Sequence, residues 1–230
     1  MLDPSTWYVA EQDVLRWAHI IAMAYWLGGE WGVFNASRPV ANASLSLDER
    51  LRHMETAYRI DIFPRTGIIL LLPLGLHMGF KMGVQPLGGP WITGMWIFTA
   101  VWIGLAWTAF FKRGTDLGLT LTKIDEAIRW VIIPLLLFFG LWTLFADGPI
   151  GADWYAAKMS LYAVTLIIGL FLRFIMRDWV MAFRRMAAEG STPAVEKSLA
   201  DKLAAGRAIA YVYWVLIATT AFLGATKPFT

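Results

Sequence analysis

Residues 15–31 read LRWAHIIAMAYWLGGEW, and the histidine inside this run decides how the chain is understood. The stretch is apolar enough for lipid, yet His19 sits within it, where an ionisable side chain is costly unless it has a partner or a task. The rest of the chain repeats the apolar theme. It has 230 residues, 58% hydrophobic and only 16% charged, and its mean hydropathy is +0.55. A soluble domain would carry about 25% charged residues. Apolar runs of about 20 residues recur, each able to cross a hydrocarbon core. The reading is an all-α, polytopic transmembrane helix bundle, a single domain over 1–230. About six spans fall at roughly 12–36, 58–82, 92–112, 124–146, 154–185 and 206–226.

Several chemistries drop out at once. The chain has no cysteine, so disulfides, thiolate metal sites, iron–sulfur clusters and covalent c-type haem attachment are excluded. No phosphate loop, nucleophile triad or metalloprotease motif is present. The opening residues, MLDPSTWYVAEQD, are acidic and lack a basic n-region or a small-residue cleavage site, so the first span is expected to stay in the protein.

Lysine and arginine alternate between the connections. Arg38, Arg50, Arg52, Arg59 and Arg65 crowd the first connection, and Lys112, Arg113, Lys123 and Arg129 the third. Arg173, Arg177, Arg184, Arg185, Lys197, Lys202 and Arg207 crowd the fifth. The opposite side has Arg16, Lys81, Lys158 and Lys227. By the positive-inside rule the basic connections are cytoplasmic and both termini periplasmic, in a bacterial cytoplasmic membrane. The pI near 9.2 then reflects topology and anionic lipid, with no need of nucleic acid. The fifth helix is expected to leave the membrane near Arg177 as an amphipathic surface helix. Residues 178–205 make the one short cytoplasmic loop. Trp7, Tyr8, Trp17, Trp91, Trp154 and Tyr155 fall at outer helix ends and read as an interfacial aromatic belt.

The three histidines differ in setting. His53 lies in the charged stretch DERLRHMETAYR and reads as solvated or interfacial. His19, and His77 in LLPLGLHMGFKMG, each lie roughly 10 Å below the outer surface at 1.5 Å per residue. Two imidazoles at one depth on antiparallel neighbours can ligate one haem b iron from both faces, so His19 and His77 are the expected axial pair. Ala18, Ala22, Gly75 and Gly79 leave room for a flat macrocycle, although small residues also mediate ordinary helix packing in lipid. Arg16 lies three residues before His19 and Lys81 four after His77, each one turn closer to water on its histidine's face. Haem propionates need such cations, while snorkelling to headgroups is the plainer role for them. Lys158 is a further candidate, as a carboxylate partner or an anchor. Glu30 reads either as a proton-transfer group or as a partner for Arg65, and Asp61 and Arg65 are spaced to pair with each other.

A family resemblance attaches to these residues. RWAHIIAMAYWLGG is similar to the opening helix of the HemJ-type protoporphyrinogen oxidases and of the related CopD-like membrane proteins, its Trp26-Leu27-Gly28-Gly29 end being the more CopD-like. LRHMETAYRIDIFPRTGIILL, GADWYAAKMSLYAVTLIIGLFLRFIMR and the closing ATKPFT resemble later HemJ segments, in the same order. The resemblance implies a small helical membrane protein that binds haem b, with the family's helix-1 histidine at His19 and its lysine at Lys158. Residues of about 90–147 and His77 have no counterpart in that family.

Three functions follow as expectations. The first is a b-type cytochrome, a redox membrane subunit passing electrons between quinol and a periplasmic partner, alongside other membrane or periplasmic redox subunits. The second is HemJ-type oxidation of protoporphyrinogen IX, with Lys158 or Arg16 holding the porphyrin carboxylates. The third is CopD-like copper transport, for which Met23, Met78 and Met82 near the histidines offer soft ligands; a non-redox membrane subunit stands beside it.

Overall fold

A computed structural model describes residues 9–229, so Trp7 and Tyr8 of the expected aromatic belt lie outside the described residues. Among the described residues there is no strand. Seven α-helices follow one another: α1 (Glu11–Ser37), α2 (Leu47–Ile60), α3 (Ile62–Lys81), α4 (Pro90–Phe111), α5 (Asp116–Phe145), α6 (Asp153–Glu189) and α7 (Pro193–Thr226). Helices α1, α3, α4, α5, α6 and α7 pack in that order as a ring, which α7 closes more lightly against α1. Five segments are long and apolar enough to cross a membrane: Leu47–Lys81, Pro90–Phe111, Asp116–Phe145, Asp153–Glu189 and Pro193–Thr226. The chain is therefore a helix bundle built for a membrane. Helix α1 has the length, at 27 residues, but falls short of that apolarity.

The most extensive pairing in the bundle is α1 against α3. Glycines permit it. A side chain on Gly67 would meet the Ala22 carbonyl oxygen at 2.5 Å, and one on Gly29 would run into Pro64. Across the ring, α6 is tied to α3 by two tyrosine hydroxyls: Tyr155 donates to the Gly75 carbonyl at 3.1 Å, and Tyr162 to that of Ile68. The main core gathers between these helices around Trp26, Ile69, Leu166, Tyr213 and Ile217.

One end of the bundle carries both described termini, with Gln12 of α1 and Lys227 after α7 on one cavity wall. The other, arginine-rich end continues into a helical cap. Helix α2 is separate from α3, where sequence reading placed a basic connection leading into a helix from 58. Its start is fixed by a capping box: the Ser46 hydroxyl accepts from the Glu49 N–H at 3.3 Å and Glu49 accepts from the Ser46 N–H at 2.9 Å. Pro64, with no N–H to donate, sits in the first turn of α3 just past the break at Asp61.

The expected loop at about 178–205 is instead the ends of two long helices. Helix α6 runs 37 residues, about 55 Å at 1.5 Å per residue, well beyond a hydrocarbon core of about 30 Å. Gly190, at φ +83°, ends it. Pro193 stands in the first turn of α7, and the Thr192 hydroxyl accepts from the Val195 N–H at 3.4 Å. Only residues 190–192 link the helices. A second core of Val40, Trp179, Phe183, Met186, Leu199 and Leu203 holds the cap together. Arg50 is buried beneath it, donating to the Val40 carbonyl at 2.8 Å and through both terminal nitrogens to Glu196.

The belt needs one correction. Trp17 and Trp91 are exposed on the bundle's outer surface, but Trp154 and Tyr155 are buried and form part of an internal wall.

Candidate functional site

Helix α1 presents one stripe to the bundle interior: Arg16, His19, Met23, Trp26 and Glu30, spaced three and four residues apart. The upper part of that stripe borders a cavity of about 600 Å³ at the termini end, walled also by α3, α5, α6 and α7. This is within the usual range of about 300–1,000 Å³ for a small-molecule site. The wall is mainly apolar and sulfur-rich, with Met23, Met78, Met82 and Met159 among its residues.

Its charged groups, among the described residues, are of one sign. Arg16, Lys158 and Lys227 line the cavity with His19, and among the described residues no aspartate or glutamate does. Among the described residues, neither Arg16 nor Lys158 has an ion-pair partner within 4.0 Å. Lys158 lays its ammonium over Gly224 of α7, in the space that a side chain there would fill. Lys227 sits 5.5 Å from the Trp154 ring centre and 3.6 Å from the Met82 sulfur. His19 faces Gly75 across the cavity floor, its Cε1 3.7 Å from where a side chain at 75 would begin. Its Nδ1 is buried with no hydrogen-bond partner. A buried ring nitrogen without a partner is costly, and so is the half-buried Lys158 ammonium with no counter-anion among the described residues, while Arg16 and Lys227 are exposed. An anionic ligand with an electron-pair acceptor would relieve both.

His77 and Lys81 do not join this site. The Trp96 indole donates to His77 Nδ1 at 3.3 Å, and His77 Nε2 lies 3.3 Å from a Glu11 carboxylate oxygen. Lys81 pairs with the same carboxylate. The reason is angular. Gly75 faces His19, and two residues on, at about 100° per residue, His77 points to the far side of α3. The two histidines share a depth but not a direction. Lys81, four residues further, follows His77 on its own face and not His19 on the cavity's.

Sequence reading singled out Arg16, His19 and Lys158, and the structure brings these three to one cavity. It missed Lys227 as a site residue, although the scarcity of cations at that end was its signal. It also read Trp154 and Tyr155 as lipid anchors because their position near a helix end masks an inward face.

A smaller cavity of about 90 Å³ lies beyond Trp26, toward the arginine-rich end. Glu30, Asp61, Arg65, Arg129, Arg173 and Arg207 reach it. Asp61 pairs with Arg65, as its spacing predicts. Asp125 accepts from Arg129, from Arg173 and, at 2.7 Å, from the Trp102 indole. The indole of Trp26, which borders both cavities, donates to the Tyr213 hydroxyl at 3.0 Å. His53 lies apart from both cavities, on α2 in the cap.

Among the described residues no three histidine, aspartate or glutamate side chains gather as a metal centre. Comparison with protein-family models, with curated proteins and with solved structures finds no match to this chain.

Proposed function

We propose that the chain is a haem b-binding protein of the bacterial cytoplasmic membrane, a b-type cytochrome subunit working between quinol and a periplasmic partner. In this reading α1 is the sixth span, both termini are periplasmic and the cap is cytoplasmic. The observation that carries it is the unpartnered Nδ1 of His19 beside three cations in a large apolar cavity. A neutral imidazole nitrogen is the commonest protein ligand to haem iron. Arg16, Lys158 and Lys227 suit the two propionates, and the apolar walls suit the ring. When bound, haem supplies one-electron redox chemistry. The protein's own part is to fix the ring through His19, hold its carboxylates and keep water from its faces. With His77 engaged elsewhere, His19 is the one histidine ligand in this proposal.

A second reading rests on His19 and Lys158 sharing the cavity, since these are the residues that the HemJ-type resemblance carries over. There the same cations hold the carboxylates of a porphyrinogen substrate.

An absorption spectrum of the purified protein tests the main reading. Sharp reduced Soret and α bands are expected, lost in His19→Ala and retained in His53→Ala. A colourless protein, or full pigment in His19→Ala, overturns it.

A further inference from the structure

Glu30 is the one acidic group facing the inner cavity that has no ion-pair partner within 4.0 Å among the described residues. Most of the charged groups around it are engaged with each other, and Arg207 lies against an aromatic ring. Arg65 on α3 is taken by Asp61, and Arg129 on α5 and Arg173 on α6 share Asp125. Arg207 on α7 lies 4.8 Å from the Phe34 ring centre. Tyr213, also on α7, accepts the Trp26 indole N–H, which leaves its own hydroxyl proton free to donate. A cavity of about 90 Å³ has room for about three waters, at roughly 30 Å³ each. It extends along α1 from Trp26 to Ser37, about 16 Å at 1.5 Å per residue. At its far end it reaches Trp179 and Leu203 of the cap.

A carboxyl placed on a polar, water-sized space inside a membrane bundle has two ways to lower its cost: a fixed cation or a proton. Among the described residues no cation comes within 4.0 Å of the Glu30 carboxylate. We infer that Glu30 is a proton-exchange site, served by water in the inner cavity from the arginine-rich end and divided from the outer cavity by the Trp26–Tyr213 pair. The step is the transfer of one proton between a cavity water and a Glu30 carboxyl oxygen, and no electron moves in it. Glu30 is four residues from Trp26, which also walls the outer cavity. A proton held there lies one helical turn from the Trp26 partition and about 16 Å along α1 from His19, at 1.5 Å per residue. The inference stands without any group bound in the outer cavity.

Infrared difference spectra between acidic and alkaline buffer, taken on the full chain in vesicles of uniform orientation, test it. The wild type is expected to show a protonated-carboxyl C=O band that vanishes as the pH on the arginine-rich side rises. That band should be absent from Glu30→Gln and displaced in Glu30→Asp, which keeps a carboxyl should the glutamine variant fail to fold. An unchanged band in either variant overturns the assignment, as does the lack of any such band in the wild type. A band that answers only to pH on the termini side overturns the route.

Discussion

The ammonium of Lys158 on α6 occupies the space above Gly224 on α7 that any side chain at position 224 would need. Two helices therefore cooperate to hold one cation at the cavity wall, and the glycine is as much part of the site as the lysine. Gly224→Leu is expected to drive Lys158 from its place at a cost of about 1–3 kcal/mol for overpacking. Bound haem per protein should fall severalfold, matching Lys158→Ala. Gly94→Ala, on a helix position with open space around it, serves as the neutral comparison. Equal pigment in Gly224→Leu and wild type would remove Lys158 from the site.

His77→Ala should leave the position and width of the Soret band unchanged, because His77 is engaged by Trp96 of α4 and Glu11 of α1, away from the outer cavity. His19→Ala should lose the band. A change from a low-spin to a high-spin spectrum in His77→Ala would restore the bis-histidine pair that depth alone suggests.

Asp125 is shared by Arg129 and Arg173, with Asp125 and Arg129 buried and Arg173 partly buried in the bundle. Asp125→Ala strands two cations and the Trp102 indole, so it should cost about 3–5 kcal/mol. Denaturant unfolding in detergent measures this. A cost within the roughly 0.5 kcal/mol of an ordinary surface substitution would show that the cluster is fully hydrated.

In the cap, Arg50 joins α2 to α7 through its bidentate contact with Glu196 and to the Val40 carbonyl. Arg50→Ala should loosen the cap without disturbing the outer cavity. Limited proteolysis is expected to quicken at residues 190–192, with the pigment spectrum intact. Unchanged cleavage would mean that the second hydrophobic core alone holds the cap.

The orientation has its own test. A reporter active only in the cytoplasm, fused after Thr230, should be silent. Activity would invert the topology drawn from the lysine and arginine distribution.

Much of this was legible from the residues alone. The apolar runs located six ring helices to within a few residues at most ends, because burial in lipid demands long uninterrupted runs. The separate α2 was hidden because its sequence is charged and its start depends on Ser46 and Glu49 bonding reciprocally. The helical continuation past Arg177 was legible, but the early start of α7 was not, because Gly190, Ser191, Thr192 and Pro193 mark a break in the chain without saying how soon helix resumes. At the site, depth could be counted along each helix, and Arg16, His19 and Lys158 do meet. Azimuth could not, since it depends on which face of α3 packs against α1, and Gly75 rather than His77 took that face.

Helix α1 carries the interior-facing polar groups Arg16, His19 and Glu30, and it alone of the ring helices is too polar to rank with the segments able to cross a membrane on apolarity. Its pairing with α3 through Gly29, Gly67 and Gly75 supplies what its composition lacks. Biogenesis inherits that dependence. On its own apolarity α1 is a weak insertion signal, so its place in a bilayer depends on α3 being there to receive it. The helix that brings the site its histidine is thus a client of a later one, and assembly of the cavity is coupled to completion of the membrane insertion itself.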